Sequence, residues 1–174
     1  FEIFRNEQKA LLNISLINFG MIWLGLLLGS IINIRMLENC GFIVTITMFL
    51  SVWICDTFAF LVGSRIGKNK ILPKVSPNKS WEGTLAGLLS SVIFIYILFY
   101  IDLFNGLFTL TDVLVLGLIT GGLSQLGDFA ESLLKREAGI KDTSDFLQGH
   151  GGFLDRFDSL MITAPLIYIY LTLF

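Results

Sequence analysis

The sequence predicts an all-α fold: a polytopic integral membrane bundle of about five transmembrane helices with two charged cytoplasmic loops. Of its 174 residues, 54% are hydrophobic and only 15% are charged, whereas about a quarter of a soluble domain is charged. The apolar residues form five long runs, and nearly all basic residues lie in alternate connections between those runs. This composition excludes a soluble enzyme and a disordered chain. The net charge of −2 lacks the basic excess of a nucleic-acid binder, so no nucleic acid partner is expected.

Five apolar runs are predicted to be membrane helices: residues 16–34, 42–64, 84–101, 110–127 and 157–174. Each run is long enough for one helical crossing of the hydrocarbon core, which needs about 17–25 residues. Helices are expected because every backbone group in lipid needs an internal partner. The runs are continuously apolar, whereas the strands of a membrane barrel alternate between polar and apolar residues.

The basic residues predict how the chain is oriented. With five crossings, segments 1–15, 65–83 and 128–156 share one side and carry eleven of the 12 basic residues, while Arg35 is alone on the other side. Cytoplasmic loops carry the excess of Lys and Arg. We therefore expect a multi-pass protein of the cell (inner) membrane, with the charged segments in the cytoplasm.

The chain is expected to form a single membrane domain over residues 1–174, because neither a repeat nor a low-complexity linker interrupts it. Its first residue is Phe1 rather than Met, and we interpret it as the C-terminal part of a longer membrane protein. Cys40 and Cys55 are interpreted as core thiols rather than a disulfide. Three Gly-x-x-x-Gly spacings let helices approach closely; packing within one chain is the favoured reading and a homodimer face the alternative. These pairs are Gly25/Gly29, Gly83/Gly87 and Gly117/Gly121.

Polar residues concentrate in residues 127–160, with seven acids, four bases and the only histidine. Asp128, Glu131 and Lys135 fall on one face of a helix that continues the fourth crossing. A solvated helix face with a Glu131–Lys135 pair would explain this first half of the segment equally well. The second half adds the glycine-rich turn 149–152, followed by Asp155, Arg156 and Asp158 at the start of the last helix. These residues exceed what helix capping requires.

Asp128 and Asp155 are predicted to meet, because they lie at the cytoplasmic ends of successive, antiparallel crossings. Mg²⁺ commonly binds through one or two carboxylates together with substrate phosphates. Arginine and lysine are the side chains that hold phosphates. The candidates for that role are Lys135, Arg136, Lys141 and Arg156.

A second polar island spans residues 55–87. Asp56 lies inside an apolar run, where a carboxylate costs about 2.5–3.5 kcal/mol at the bilayer centre, so it is a functional candidate, with a buried structural pair as the alternative. Ser76, Lys79 and Ser80 are candidates for substrate contact. The remaining bases of 65–79, Lys68 among them, are explained by topology alone. Residues 80–83 are expected to begin a helix.

Several segments carry a resemblance to a known family. They are SLLKR (132–136), KD (141–142) and HGGFLDRFD (150–158), together with WICDT (53–57) and SPNKSWEG (76–83). Over residues 53–160 the chain closely resembles the phosphatidate cytidylyltransferases, or CDP-diacylglycerol synthases. Three positions depart from the usual pattern of that family, which more often has Lys at Asn78, Thr at Ser80 and Pro at Gln148. None of these departures removes a predicted metal or phosphate ligand.

The resemblance implies a Mg²⁺-dependent reaction of CTP with phosphatidic acid, giving CDP-diacylglycerol and pyrophosphate at the surface of the membrane lipids. It implies Asp128 and Asp155 as metal ligands, with a second cation consistent with the site. Lys135 and Arg136 would hold phosphates and Arg156 the pyrophosphate. The other residues expected to contact substrate are Ser132, Lys141, Asp142, His150, Gly151, Gly152, Asp158, Lys79 and Asp56.

Two other functions remain open at this stage. A CTP-dependent polyprenol or lipid kinase would also need CTP and a membrane site, but it would need a base near its acceptor hydroxyl. An ion-coupled transporter could use Asp56 in an ion path. Transporters often show repeated halves with interrupted helices, and this sequence shows no such symmetry.

Overall fold

The computed structural model of the chain describes residues 9–140, 143–144, 152 and 154–173, and the backbone alone of Arg156. Within this part, helices dominate and almost all lie on the predicted apolar runs, so the all-α membrane bundle is confirmed. The helices are α1 (Ala10–Arg35), α2 (Gly41–Ile66), α3 (Trp81–Tyr100), α4 (Leu110–Leu118), α5 (Ser124–Glu137) and α6 (Asp158–Leu173). A short 3₁₀ turn, Leu154–Arg156, precedes α6.

Among the residues that the structure describes, four helical segments are long and apolar enough to cross a membrane: α1, α2, α3 and the continuous stretch Leu110–Glu137. The fifth, α6, is apolar but has 16 residues, about 24 Å at 1.5 Å per residue. The first predicted helix, 16–34, begins earlier, at Ala10. The fourth, 110–127, extends to Glu137, because α4 and α5 are joined by a π-turn at Ile119–Leu123.

A β-hairpin, which the residue pattern does not predict, connects α2 and α3. Strands β1 (Lys70–Leu72) and β2 (Ser76–Ser80) are antiparallel, with Lys70 opposite Ser80. The predicted helix start is confirmed, since the Ser80 hydroxyl accepts a hydrogen bond from Gly83 N and caps α3. The hairpin therefore runs directly into a transmembrane helix.

The apolar core lies between α2, α3, α4 and α6. Its fully buried side chains include Met48, Ile95, Val113 and Ile167. Helix α1 packs mainly against α6, where Trp23 Nε1 donates to the sulfur of Met161 at 2.7 Å. Most other large side chains of α1 are exposed, as expected of a helix whose outer face meets lipid.

Two of the three Gly-x-x-x-Gly pairs pack within the chain. A Cβ on Gly83 would lie 2.6 Å from Ala59 O, and one on Gly87 2.9 Å from Cys55 O, so α2 and α3 touch through their backbones. Gly117 and Gly121 approach α3 equally closely. A Cβ on either residue of the remaining pair, Gly25/Gly29, would have no neighbouring atom within 4 Å. The homodimer stays a prediction.

Candidate active site

A cavity of about 660 Å³ opens where α2 ends and α3 begins, at the hairpin end of the bundle. Four aspartates line it: Asp56 from α2, Asp128 from α5, Asp155 from the 3₁₀ turn and Asp158 from the start of α6. Asp128 and Asp155 therefore line the same cavity, as the sequence predicts. Four carboxylates from four separate elements therefore share this cavity.

One face of α2 forms the long wall of the cavity. Asp56, Phe60 and Gly63 recur at helical spacing along it, and Gly67 follows directly after its end. Asp56 is the deepest of these residues, inside the apolar span, and lies near enough to Asp128 and Asp158 for their negative charges to repel. The wall thus runs from the apolar zone to the polar end of the helix.

Asp128 is paired with a lysine of the hairpin. Its Oδ2 lies 2.5 Å from Lys79 Nζ, and its Oδ1 accepts a hydrogen bond from the Ser132 hydroxyl at 3.2 Å. Lys79 Nζ is also 4.1 Å from the centre of the Phe129 ring, a distance at which a cation is attracted to the ring face. Of the predicted substrate contacts, Lys79 and Ser132 therefore both lie beside Asp128.

Asp155 is held by donors on both oxygens. Oδ1 accepts from Lys135 Nζ at 2.7 Å, and Oδ2 accepts from Thr143 N at 3.0 Å, Thr143 Oγ1 at 2.8 Å and Gly152 N at 2.6 Å. Burial alone would raise the pKa of Asp155, but these donors outweigh it and hold the pKa well below its usual range. Asp155 is therefore ionised at neutral pH and fastens α5 to residues 143 and 152.

Asp158 reaches the cavity because α6 starts in contact with α5. Gly127, next to Asp128, packs on the Asp158 carbonyl so closely that a Cβ there would overlap it. Glu131, one turn after Asp128, is 3% exposed and lies near the charge of Asp158. The predicted Glu131–Lys135 pair is present at 3.5 Å, although Lys135 lies closer to Asp155.

The whole sequence matches the model of one protein family. All of residues 1–174 match the model described as the cytidylyltransferase family. The chain belongs to the cytidylyltransferase family. The resemblance found from the motifs at 53–160 is thereby confirmed.

Curated relatives agree with this assignment. The phosphatidate cytidylyltransferase of Haemophilus influenzae is 42% identical over 127 residues, which cover 72% of this chain and 44% of that protein. Those of Staphylococcus haemolyticus and Staphylococcus aureus are 46% and 45% identical over 124 residues, covering 71% of this chain and 46% of theirs. The matched region thus spans less than half the length of these relatives.

The other residues predicted for the site fall into two groups. Arg136 is exposed and donates from Nε to Val75 O of the hairpin at 3.4 Å, while Gly152 is buried against Thr143. The second group lies outside the described residues: Lys141, Asp142, His150, Gly151 and the side chain of Arg156. Their predicted contacts with substrate stay predictions.

Gln125 lines the cavity but was missed in the sequence, because it lies within the apolar run 110–127. Its Nε2 donates to Gly121 O at 2.7 Å and to Thr84 O at 3.2 Å, and the thiol of Cys55 also donates to Gly121 O. Two of these hydrogen bonds end on Gly121 O, which lies in the π-turn, where the regular i→i−4 hydrogen-bond pattern is interrupted. The one signal in the sequence that could have identified Gln125 as a cavity residue is its position three residues before Asp128.

The oxygen-rich cavity is chemically suited to Mg²⁺. Within residues 9–140, 143–144, 152 and 154–173, no three His, Cys, Asp or Glu side chains are arranged to hold a metal ion alone. Mg²⁺ rarely uses such a cage and binds instead through one or two carboxylates, water and substrate phosphates. Carboxylates that converge without closing a cage fit that mode of binding.

Proposed function

We propose that this chain carries the reaction centre of a Mg²⁺-dependent phosphatidate cytidylyltransferase, which converts CTP and phosphatidic acid into CDP-diacylglycerol and pyrophosphate. The observation that carries this proposal is the convergence of Asp56, Asp128, Asp155 and Asp158 on one cavity at the end of apolar helices. Membership of the cytidylyltransferase family and the names of the curated relatives support it.

The reaction suits a site that aligns phosphates and neutralises charge. An ionised phosphate oxygen of phosphatidic acid attacks the α-phosphorus of CTP, a new P–O bond forms, and the bond to the β-phosphate oxygen breaks. Pyrophosphate leaves with that electron pair. The nucleophile is already ionised near neutral pH, so alignment and electrostatic stabilisation supply most of the rate. A bound Mg²⁺ would neutralise the triphosphate and orient it for attack.

The chain's own residues divide these tasks. Asp128 is the first metal ligand in this proposal. Asp158, whose carboxylate interacts with that of Asp128 and accepts a hydrogen bond from Ser159 N, is the second candidate. Asp155 is the ligand that the resemblance implies, but its four donors favour an anchoring role. A second cation beside the first belongs to the same proposal.

Both substrates can reach the cavity. Its lining runs from Asp56, within the span of α2, to the polar hairpin residues Lys70 and Asn78. The acyl chains of phosphatidic acid would stay among the membrane lipids, while CTP arrives from water at the hairpin end. We place that end in the cytoplasm, in line with the excess of basic residues in the segments it contains.

The test is an assay of the purified protein in detergent with labelled CTP, phosphatidic acid and Mg²⁺. We expect pyrophosphate and CDP-diacylglycerol, both lost on chelation of the metal. Release of CDP with a phosphorylated polyprenol would instead identify a lipid kinase. Gradient-driven uptake into liposomes without CTP turnover would identify a transporter.

A further inference from the structure

We propose that Lys79 is a built-in counter-cation, which occupies the cation position beside Asp128 until metal and nucleotide bind together and then transfers to a nucleotide phosphate. This inference rests on the proposed function, because it assigns a cation and a triphosphate to the cavity. It goes beyond a substrate contact at Lys79, since it states what the lysine does before substrate arrives.

The inference rests first on the position of the Lys79 ammonium group. Lys79 Nζ lies 2.5 Å from Asp128 Oδ2, and the two side chains are only 22% and 29% exposed. The nitrogen itself is buried, with the ring face of Phe129 on one side. A buried ammonium is retained only when a negative partner offsets its loss of hydration, and Asp128 is that partner.

One lysine serves several carboxylates. The charge of Lys79 stabilises the negative charges of Asp56 and Asp158 as well as lying against Asp128. These are the side chains that repel one another across the cavity. Lys79 therefore performs the electrostatic task that a divalent cation would perform at the same place.

A divalent cation at Asp128 would compete with Lys79. Two like charges a few ångströms apart repel strongly in a partly buried site, so a metal ion arriving alone has to displace the ammonium from its partner. A metal ion arriving with a triphosphate brings new negative oxygens, which can accept the displaced lysine. Binding of the metal and binding of the nucleotide are then coupled, each strengthening the other.

The hairpin restricts this movement to the side chain. Asn69 donates from Nδ2 to Glu82 at 2.8 Å, Trp81 N donates to Asn69 O at 2.9 Å, and Ser80 caps α3. These contacts fix the backbone after Lys79, and the pairing of Leu72 with Ser76 fixes the strand before it. The four methylenes of the lysine can carry its ammonium group from carboxylate to phosphate while β2 stays in place.

The experiment is to measure Mn²⁺ binding to the purified protein by electron paramagnetic resonance, with and without CTP. The variants are Lys79→Met, Lys79→Arg and, as a matched control, Lys74→Met, which removes an exposed lysine at the hairpin turn. For Mn²⁺ alone we expect Lys79→Met to bind about tenfold more tightly than the unaltered protein, about 1.4 kcal/mol. Lys79→Arg and Lys74→Met should match the unaltered protein.

With CTP present, the gain in Mn²⁺ affinity should be large for the unaltered protein and reduced about tenfold for Lys79→Met. A merely structural lysine would weaken metal binding when removed, so equal or weaker binding of Mn²⁺ alone by Lys79→Met would overturn the inference while leaving the proposed metal site standing. Absence of Mn²⁺ binding by every form, with or without CTP, would overturn both.

Discussion

Gly127 packs against the backbone carbonyl of Asp158, and this contact joins α5 to α6 next to the two cavity carboxylates of Asp128 and Asp158. A side chain at position 127 would push the helices apart at that point. The arrangement of the acidic cluster thus depends on the absence of a single methyl group.

Gly127→Ala should therefore destabilise the protein by about 1–3 kcal/mol, the usual cost of overpacking, and lower cytidylyl transfer. Gly29→Ala is the control, because no atom lies within 4 Å of a Cβ there. Thermal unfolding in detergent and turnover measure the two effects. Equal stability of the two variants would contradict the packing described here.

Asp128→Asn should abolish turnover, at least a hundredfold in kcat, and leave the protein folded and inserted, because the substitution keeps the shape and removes the charge that would hold a cation. Turnover of labelled CTP and thermal unfolding measure the two effects. Lys68→Ala is the control, since Lys68 is exposed and its charge is explained by topology. Activity like that of the unaltered protein in Asp128→Asn would remove the metal assignment.

Asp155→Asn should behave differently from Asp128→Asn. It should also abolish turnover, but in addition weaken the attachment of residues 143 and 152 to α5, since four donors converge on that carboxylate. Hydrogen bonds to a charged group are worth about 1.5–3 kcal/mol each. We expect a loss of about 2 kcal/mol in stability, measured by thermal unfolding in detergent, which Asp128→Asn should not show.

Gln125→Met should destabilise the π-turn by about 1–2 kcal/mol, because a methionine cannot donate to Gly121 O or Thr84 O. Hydrogen exchange of the amides in 119–125, measured by mass spectrometry, should speed up. Ser30→Ala removes a hydroxyl that donates to a helical carbonyl, Leu26 O, without any π-turn, and should change exchange little. Unchanged protection in Gln125→Met would show that the π-turn is held by backbone packing alone.

The two cysteines allow the orientation to be tested. Cys40 is half-buried between α1 and α2, at the opposite end of α2 from the cavity, whereas Cys55 is fully buried. If the cavity faces the cytoplasm, an impermeant maleimide added outside intact cells should label Cys40. A cysteine introduced by Lys74→Cys, at the hairpin turn, should be labelled only after the membrane is opened. The reverse pattern would invert the proposed orientation.

The sequence predicts the helices well because the membrane leaves few alternatives to a long apolar run. It also predicts that Asp128 and Asp155 line one cavity, because successive crossings are antiparallel and both residues flank the same connection. The sequence does not reveal which side chains pair with these aspartates. Lys79 is 49 positions from Asp128 in the chain, and their contact depends on a hairpin whose strands are short and carry no alternating pattern.

Gln125 shows a second limit of sequence reasoning. A single polar residue in an apolar run does not reveal whether it faces lipid, a neighbouring helix or a cavity. Its function depends on the π-turn, which shifts the helical phase between α4 and α5, and no residue pattern in 119–123 predicts that irregularity.

The backbone contacts of Gly83 and Gly87 with α2 have a consequence for motion during turnover. Because the helices meet through the backbone at these two glycines, they cannot slide past each other there by exchanging rotamers, and they should move together with the hairpin between them. Any opening that admits a lipid or releases a product must then come from the side of the cavity that Asp128, Asp155 and Asp158 line.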